Sequence, residues 1–167
     1  MFRKPTSLKA HGTSKSAAAS TWISVTSALV ISMLVTSCLD FGEENEFFAP
    51  DVTAVHLQVI EKRTGINLPE GTVGLALYSN ATGIDPWMLA KVRIPSDKAE
   101  ALLASEPFKL HKPLNPMTFV GTSRPWWKPY ELTKAYSGQF DIKSDLVVWT
   151  LGQESADHVL YIQWLTF

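Results

Sequence analysis

Residues 145–151 (DLVVWTL) and 157–165 (DHVLYIQWL) decide the fold. Both are short runs dense in Val, Leu, Trp and Tyr, too short for a helix and rich in the residues that pack well on a pleated surface. The intervening Gly152-Gln153-Glu154-Ser155-Ala156 is turn chemistry, so the two runs read as a terminal hairpin. Trp149 and Trp164 fall within the strand patterns and are expected in the core. Immediately upstream, residues 107–129 hold five prolines and read as an irregular, partly rigid loop with a short strand at 117–120. Pro107 ends a helix that Ser96 and Asp97 cap and that runs to about Ser105, with Ala99, Leu102 and Leu103 facing inward.

Further toward the N-terminus, residues 72–79 alternate (Val73, Leu75, Leu77) as a half-buried strand does. Residues 80–86 (NATGIDP) are a turn, and 87–94 form the hairpin partner, with Trp87 at its start able to face either way. Residues 51–64 read as a helix capped by Asp51, with Val52, Val55, Val59 and Ile60 at helical spacing and Lys62, Arg63 and Gly65 as the stop. A strand through Val55, Leu57 and Val59 competes with that reading. Residues 38–50, with Glu43, Glu44 and Glu46 and no clear period, read as a tether. No internal repeat is present. The expectation is a single α+β domain over 51–167, with an antiparallel sheet of about four strands and two helices packed on one face.

The N-terminal 37 residues read differently. Arg3, Lys4, Lys9 and Lys15 precede a mostly apolar stretch from Trp22 to Val35, and small residues lead to the chain's one cysteine in Val35-Thr36-Ser37-Cys38. A basic region, a short apolar region and a small-residue cleavage site make a secretory signal peptide. With Cys directly after the small residues, the segment resembles a bacterial lipoprotein signal, whose box is an aliphatic residue, two small residues and Cys. That resemblance implies removal of residues 1–37 and acylation of Cys38, a lipid anchor that includes palmitate. More than one chain on one sulfur-bearing residue holds a protein stably, whereas a single chain binds reversibly. The alternative is a retained helix from Thr21 to Phe41, weakened by seven Ser or Thr between Thr21 and Ser37. Either way the domain lies on the non-cytoplasmic side of a bacterial envelope membrane. Leu39, rather than Asp, favours the outer membrane of a two-membrane bacterium by analogy with known lipoproteins.

Without residues 1–37 the chain has 130 residues, enough for one domain, and no second Cys for a disulfide. Its charge becomes 11 − 16 = −5, because four of 15 Lys+Arg and none of 16 Asp+Glu are lost. A mildly acidic domain with no basic stripe argues against nucleic acid as a partner. It argues equally against electrostatic docking on anionic lipid, which needs clustered Lys or Arg.

Three strings occur in order: Thr64-Gly65-Ile66-Asn67-Leu68-Pro69, then Asp85 followed by Lys91-Val92-Arg93-Ile94-Pro95, then Pro125-Trp126-Trp127-Lys128-Pro129. Over roughly residues 64–130 they resemble a family of small, uncharacterised bacterial envelope proteins, many of them lipoproteins. The resemblance implies a single α+β domain and brings no activity, cofactor or mechanism.

No constellation for catalysis stands out. Acylated, Cys38 would be no nucleophile. His56, His111 and His158 are scattered, no Gly-x-Ser-x-Gly elbow exists, and no metal-ligand spacing or phosphate-binding glycine loop is present. Asp141 and Asp145 flank a lysine in an expected loop and read as solvated. No cofactor is expected, and the protein is expected not to be an enzyme. The segment able to bind a ligand is Arg124-Pro125-Trp126-Trp127-Lys128-Pro129-Tyr130. Its prolines fix the backbone, and adjacent rings in an extended chain point opposite ways. An exposed Trp126 or Trp127, with Arg124, Lys128 and Tyr130 beside it, can stack on a cell-wall glycan or anchor a peptide of another envelope protein. The competing expectation has both rings plugging the open face of the sheet.

Overall fold

The computed structural model describes residues 44–81, 86–110, 112–113 and 123–167. Cys38, the signal segment, His111 and the strand expected at 117–120 lie outside the described residues. The elements are β1 (Glu44–Phe48), α1 (Ala54–Thr64), β2 (Val73–Asn80), β3 (Trp87–Ile94), α2 (Ala99–Ala104), β4 (Lys112–Pro113), β5 (Thr133–Ile142), β6 (Asp145–Glu154) and β7 (Asp157–Thr166). All strands join one antiparallel sheet in the order β1-β2-β3-β7-β6-β5-β4. The domain is α+β, as expected, but its sheet is larger: six strands of five residues or more, plus the two-residue β4, instead of about four.

Two of the added strands account for the difference. Glu44–Phe48, read as tether, pairs along its whole length with β2 from Glu44↔Asn80 to Phe48↔Ala76. Its carboxylates alternate onto one face and Phe47 onto the other, which is strand periodicity with charge in place of apolar residues. Charged side chains are a usual dressing for an edge strand. Thr133–Ile142 (TKAYSGQFDI) carries Gly, Ser, Gln and Asp, so intrinsic propensity says little, and cross-strand pairing with β6 makes it a strand.

The central strand is β7, flanked by β3 and β6. Residues Val159 to Trp164 are all buried. A strand hidden on both faces loses its alternation and reads as a continuous apolar run. On one face a single register row crosses six strands: Phe47, Leu77, Ala90, Ile162, Trp149 and Gly138. Ile60 of α1, Ala99 and Leu102 of α2, and Phe108 join the same core, so both helices cover this face. Burying each such Ile, Leu or Phe contributes about 1.5–3 kcal/mol. Among the described residues no helix is long and apolar enough to cross a membrane.

The ends of the elements show how local chemistry sets them. The cap of α1 is Thr53, in extended conformation, rather than Asp51, whose N–H instead donates to Phe48 O at 2.7 Å. Thr53 N–H donates to His56 Nδ1 at 3.1 Å. Gly65 ends the helix at φ +67°, its N–H donating to Glu61 O at 2.8 Å. Val55, expected inward, is 54% exposed, while Ile60 and Thr64 are buried. The terminal hairpin turns in two residues, Ser155 and Ala156, not five. Gly152 belongs to β6, where a Cβ would stand 2.9 Å from that of Ala135.

Gly138 lies opposite Trp149, and a Cβ there would stand 2.8 Å from Trp149 Cζ2. Trp149 is fully buried and stacked edge-on with Phe108 at 4.5 Å, so it has no room to retreat. Gly138→Ala should therefore lower stability by about 1–3 kcal/mol through overpacking. Urea unfolding of the variant checks this, with a lower midpoint at an unchanged slope.

Candidate functional site

On the face opposite the helices, the segment after residue 122 lies across the sheet as a strap. Trp127 N–H donates to Arg124 O at 3.0 Å, and Pro129 opens a short 3-10 turn through Glu131. Trp127 is buried, its ring edge-on to Tyr161 of β7 at 5.2 Å and 89°. Tyr161 O–H donates to Trp126 O at 3.4 Å. Together with Tyr78, Leu89, Leu132, Val148 and Val159, these rings form a second core.

Arg124 is the electrostatic centre of the strap. Its guanidinium lies 3.2 Å from the centroid of the Tyr78 ring, a cation–π stack. It also meets Glu44 at 2.7 Å and Glu46 at 2.9 Å. Tyr78 O–H donates to Glu44 Oε1 at 2.5 Å, and Trp126 Nε1–H donates to Glu46 Oε1 at 2.6 Å. The Tyr78 hydrogen bond, despite partial desolvation and with help from Arg124, holds the Glu44 carboxyl below its usual range. Burial, then the Glu44 carboxylate, pushes the Tyr78 phenol up. Both groups are thereby kept in the forms that bond each other: carboxylate and neutral phenol.

The five residues expected to bind a ligand are thus brought together but play unlike parts. Arg124 and Trp126 tie the strap to β1, and Trp127 fills the second core. Lys128 pairs with Glu131 at 3.0 Å, and Tyr130 is 48% exposed. Trp126 is half-buried, with its ring edge-on to the exposed Phe48 at 6.4 Å. Of the other tryptophans, Trp149 and Trp164 are buried and Trp87 is half-buried against Tyr78.

The histidines are apart. His56 is buried against Phe47; its Nδ1 lies 3.1 Å from Thr53 N–H, and its Nε2 has no hydrogen-bond partner among the described residues. His158 Nδ1 lies 3.2 Å from Ser96 Oγ, beside a recess of about 260 Å³ that Glu100, Lys134 and Tyr136 also line. Among the described residues no group of three His, Cys, Asp or Glu could hold a metal ion.

A second recess, about 400 Å³, escaped sequence reasoning. It lies between the end of α1 and the β5–β6 turn, lined by Val59, Lys62, Arg63, Ile142, Lys143, Asp145 and Trp164. Asp145, expected to be solvated, accepts a hydrogen bond from Trp164 Nε1 at 3.1 Å. Arg63 lies 4.7 Å over the Trp164 ring; burial lowers its pKa and Asp145 works against that. Lys143 sits in the turn at φ +58°. Lys62 and Arg63 are adjacent in sequence, but only the fold adds Lys143, 80 residues on, so no charge run announces the cluster.

Comparison with protein-family models, curated proteins and solved structures finds no match to this chain.

Removing Arg124 strips two partly exposed ion pairs from β1 and a cation–π stack from Tyr78 of β2. Arg124→Ala should destabilise the domain by about 1–2 kcal/mol, with a non-zero Arg124→Ala/Glu46→Ala coupling in a double-mutant cycle. Hydrogen exchange of the β1 amides should rise before that of β7. The sign with pH follows from Glu44. Its folded pKa is below the unfolded 4.5, so its stabilisation is present above 4.5 and is lost as pH falls through the depressed value. Tyr78→Phe removes the leading cause of the depression. Unfolding midpoints measured from pH 6 to 3 should therefore be lower than in the parent protein at pH 6 and fall less steeply as the pH drops, because the folded and unfolded pKa values then lie closer together.

Proposed function

We propose that this protein is a bacterial envelope protein held at a bilayer by acyl chains on Cys38, its domain on the non-cytoplasmic side, with a non-catalytic role in interaction or structure. The observation that carries the reading is the string Val35-Thr36-Ser37-Cys38 at the end of an apolar run behind a basic N-terminus. It agrees with an abruptly acidic sequence beyond the cysteine and with a domain that starts its first strand at Glu44. The strap favours the non-catalytic part. Its cation, carboxylates and phenol engage one another, and none is left as a base beside a nucleophile. Leu39 favours the outer membrane where two membranes exist.

A second reading rests on the Phe48–Trp126 pair. Phe48 is 48% exposed, and the Glu46 hydrogen bond fixes the Trp126 ring beside it. A rigid aromatic ledge of this kind suits a glycan ring or an apolar side chain of an envelope protein. In that reading the contact set is Trp126 with Phe48 and Tyr130, while Arg124 and Trp127 hold the ledge in place. Titration with peptidoglycan fragments should then change Trp fluorescence in the parent protein and not in Trp126→Ala.

For the anchor, the protein purified from membranes should begin at Cys38, and its N-terminal peptide should carry the mass of the acyl groups. Cys38→Ser should incorporate no labelled palmitate. A chain that begins at Met1 with a free thiol and fractionates with soluble proteins would overturn the reading.

A further inference from the structure

The strand register puts one end of the sheet within reach of Cys38. Glu44 opens β1 and pairs with Asn80 at the end of β2; Asn80 pairs with Trp87 at the start of β3, and Trp87 with Leu165 near the end of β7. Asp145 at the start of β6 pairs with Thr166 and with Ile142 at the end of β5. All these termini therefore lie along one end of the sheet. The recess over Trp164 is built on that same end, from Ile142, Lys143 and Asp145 with the last turn of α1.

Six residue steps separate Cys38 from Glu44, and a chain of that length reaches no more than about 20 Å. From β1 to β6 is four strand spacings, about 19 Å. A domain tethered so closely would keep this end within reach of a bilayer that holds Cys38.

Charge at the recess is cationic although the domain is acidic. Lys62, Arg63 and Lys143 line it against Asp145 alone, 3 − 1 = +2. Both lysines are exposed, and among the described residues no carboxylate pairs with either. Asp145 is held by the Trp164 N–H. Glu44, the carboxylate at the same end on β1, is engaged by Arg124 and Tyr78. Phe167, beyond β7 at this end, is 78% exposed. The order is thus a short tether, a cationic recess and an exposed ring, all on one end.

We propose that this end docks on the bilayer, with Lys62, Arg63 and Lys143 receiving the phosphate of an anionic phospholipid headgroup. The proposal rests on the Cys38 reading for its geometry and on the recess for its chemistry. Docking would hold the domain in one orientation, with the Ser155–Ala156 turn at the opposite end of the sheet directed away from the membrane.

The test is lysine footprinting on the purified full chain, reconstituted into vesicles of phosphatidylcholine alone or with about 30% phosphatidylglycerol. Labelling of Lys62 and Lys143 by an amine-reactive reagent, read by mass spectrometry, should fall at least about threefold on the anionic vesicles. About 0.5 M NaCl should restore it, since exposed charges are screened at that strength. Lys98, beyond the opposite end of β3, should be unchanged. Equal labelling of Lys62 and Lys143 on both vesicles would overturn the proposal. So would equal protection of Lys98, or the same protection by inorganic phosphate on neutral vesicles, which would mark a soluble anion as the occupant. The N-terminal peptide in the same digest reports the anchor separately. Acylated Cys38 with unprotected lysines removes the docking alone, and an unmodified Cys38 with protected lysines removes the anchor alone.

Discussion

The structure depends on one constraint: β7 has two apolar faces and both must be kept from water. Leu160, Ile162 and Trp164 point to one side, and Val159 and Tyr161 to the other. A sheet covered only by helices on one face would leave the second row wet. Two short helices cannot cover both faces, so the chain uses an irregular, proline-bounded strap for the other. An irregular segment has backbone polar groups that no ladder satisfies, and it needs side-chain ties in place of ladder bonds. Arg124 and Trp126 supply those ties, and their partners are Glu44 and Glu46 on β1. The edge strand and the strap are therefore one device. Each holds the other, and both exist because the centre of the sheet is apolar on two sides.

Charge in the strap is placed where it is worth something. An exposed ion pair is screened and contributes little. Arg124 instead lies flat on Tyr78, with its side chain only 20% accessible, and it addresses two carboxylates at once. Planarity is what makes this possible, since a guanidinium stacks and forks simultaneously and an ammonium does neither. The phenol and indole beneath it then donate to the same two carboxylates. Each Glu thus carries two short hydrogen bonds, and the edge strand is pinned by groups too polar to attract attention as core.

What the sequence disclosed follows the same logic. The terminal hairpin, the β2–β3 hairpin, both helices and the α+β class were legible because continuous or periodic apolar runs mark them. The burial of Trp149 and Trp164 was legible for the same reason, whereas Trp127 stood between a ligand contact and a plug on the open face of the sheet, and the structure buries it. β1 was not, because its period is written in Glu, Asn and Phe, and a charge alternating with an apolar residue looks like a tether until a partner for the charge is known. β5 was not, because Gly138 is required by the bulk of Trp149 on the neighbouring strand, a reason that lies in β6 and not in β5. The site divides in the same way. The strap announced itself by its aromatic and proline content, while the recess over Trp164 joins Arg63 to Lys143, 80 residues apart in sequence, and no local pattern encodes that pairing.

The aromatic ledge on the strap face and the recess on the helix face lie on opposite sides of the sheet, and the difference constrains function. Groups within the strap are engaged with one another, so a partner there meets a preformed aromatic ledge, Phe48 beside Trp126, and gains shape without new charge pairing. The recess is the reverse: Asp145 is occupied by the Trp164 N–H, and two exposed lysines remain to face an anion. Affinity for a neutral ring or apolar side chain belongs to the first surface, and affinity for negative charge to the second. Among the surfaces described, the recess is the one whose lining carries Lys62, Arg63 and Lys143 against Asp145, and so the one that suits an anion. Under the anchor proposed at Cys38, six residue steps before β1, the domain would need little attraction to hold one orientation, because the short chain would already have removed most of the translational freedom that binding otherwise costs.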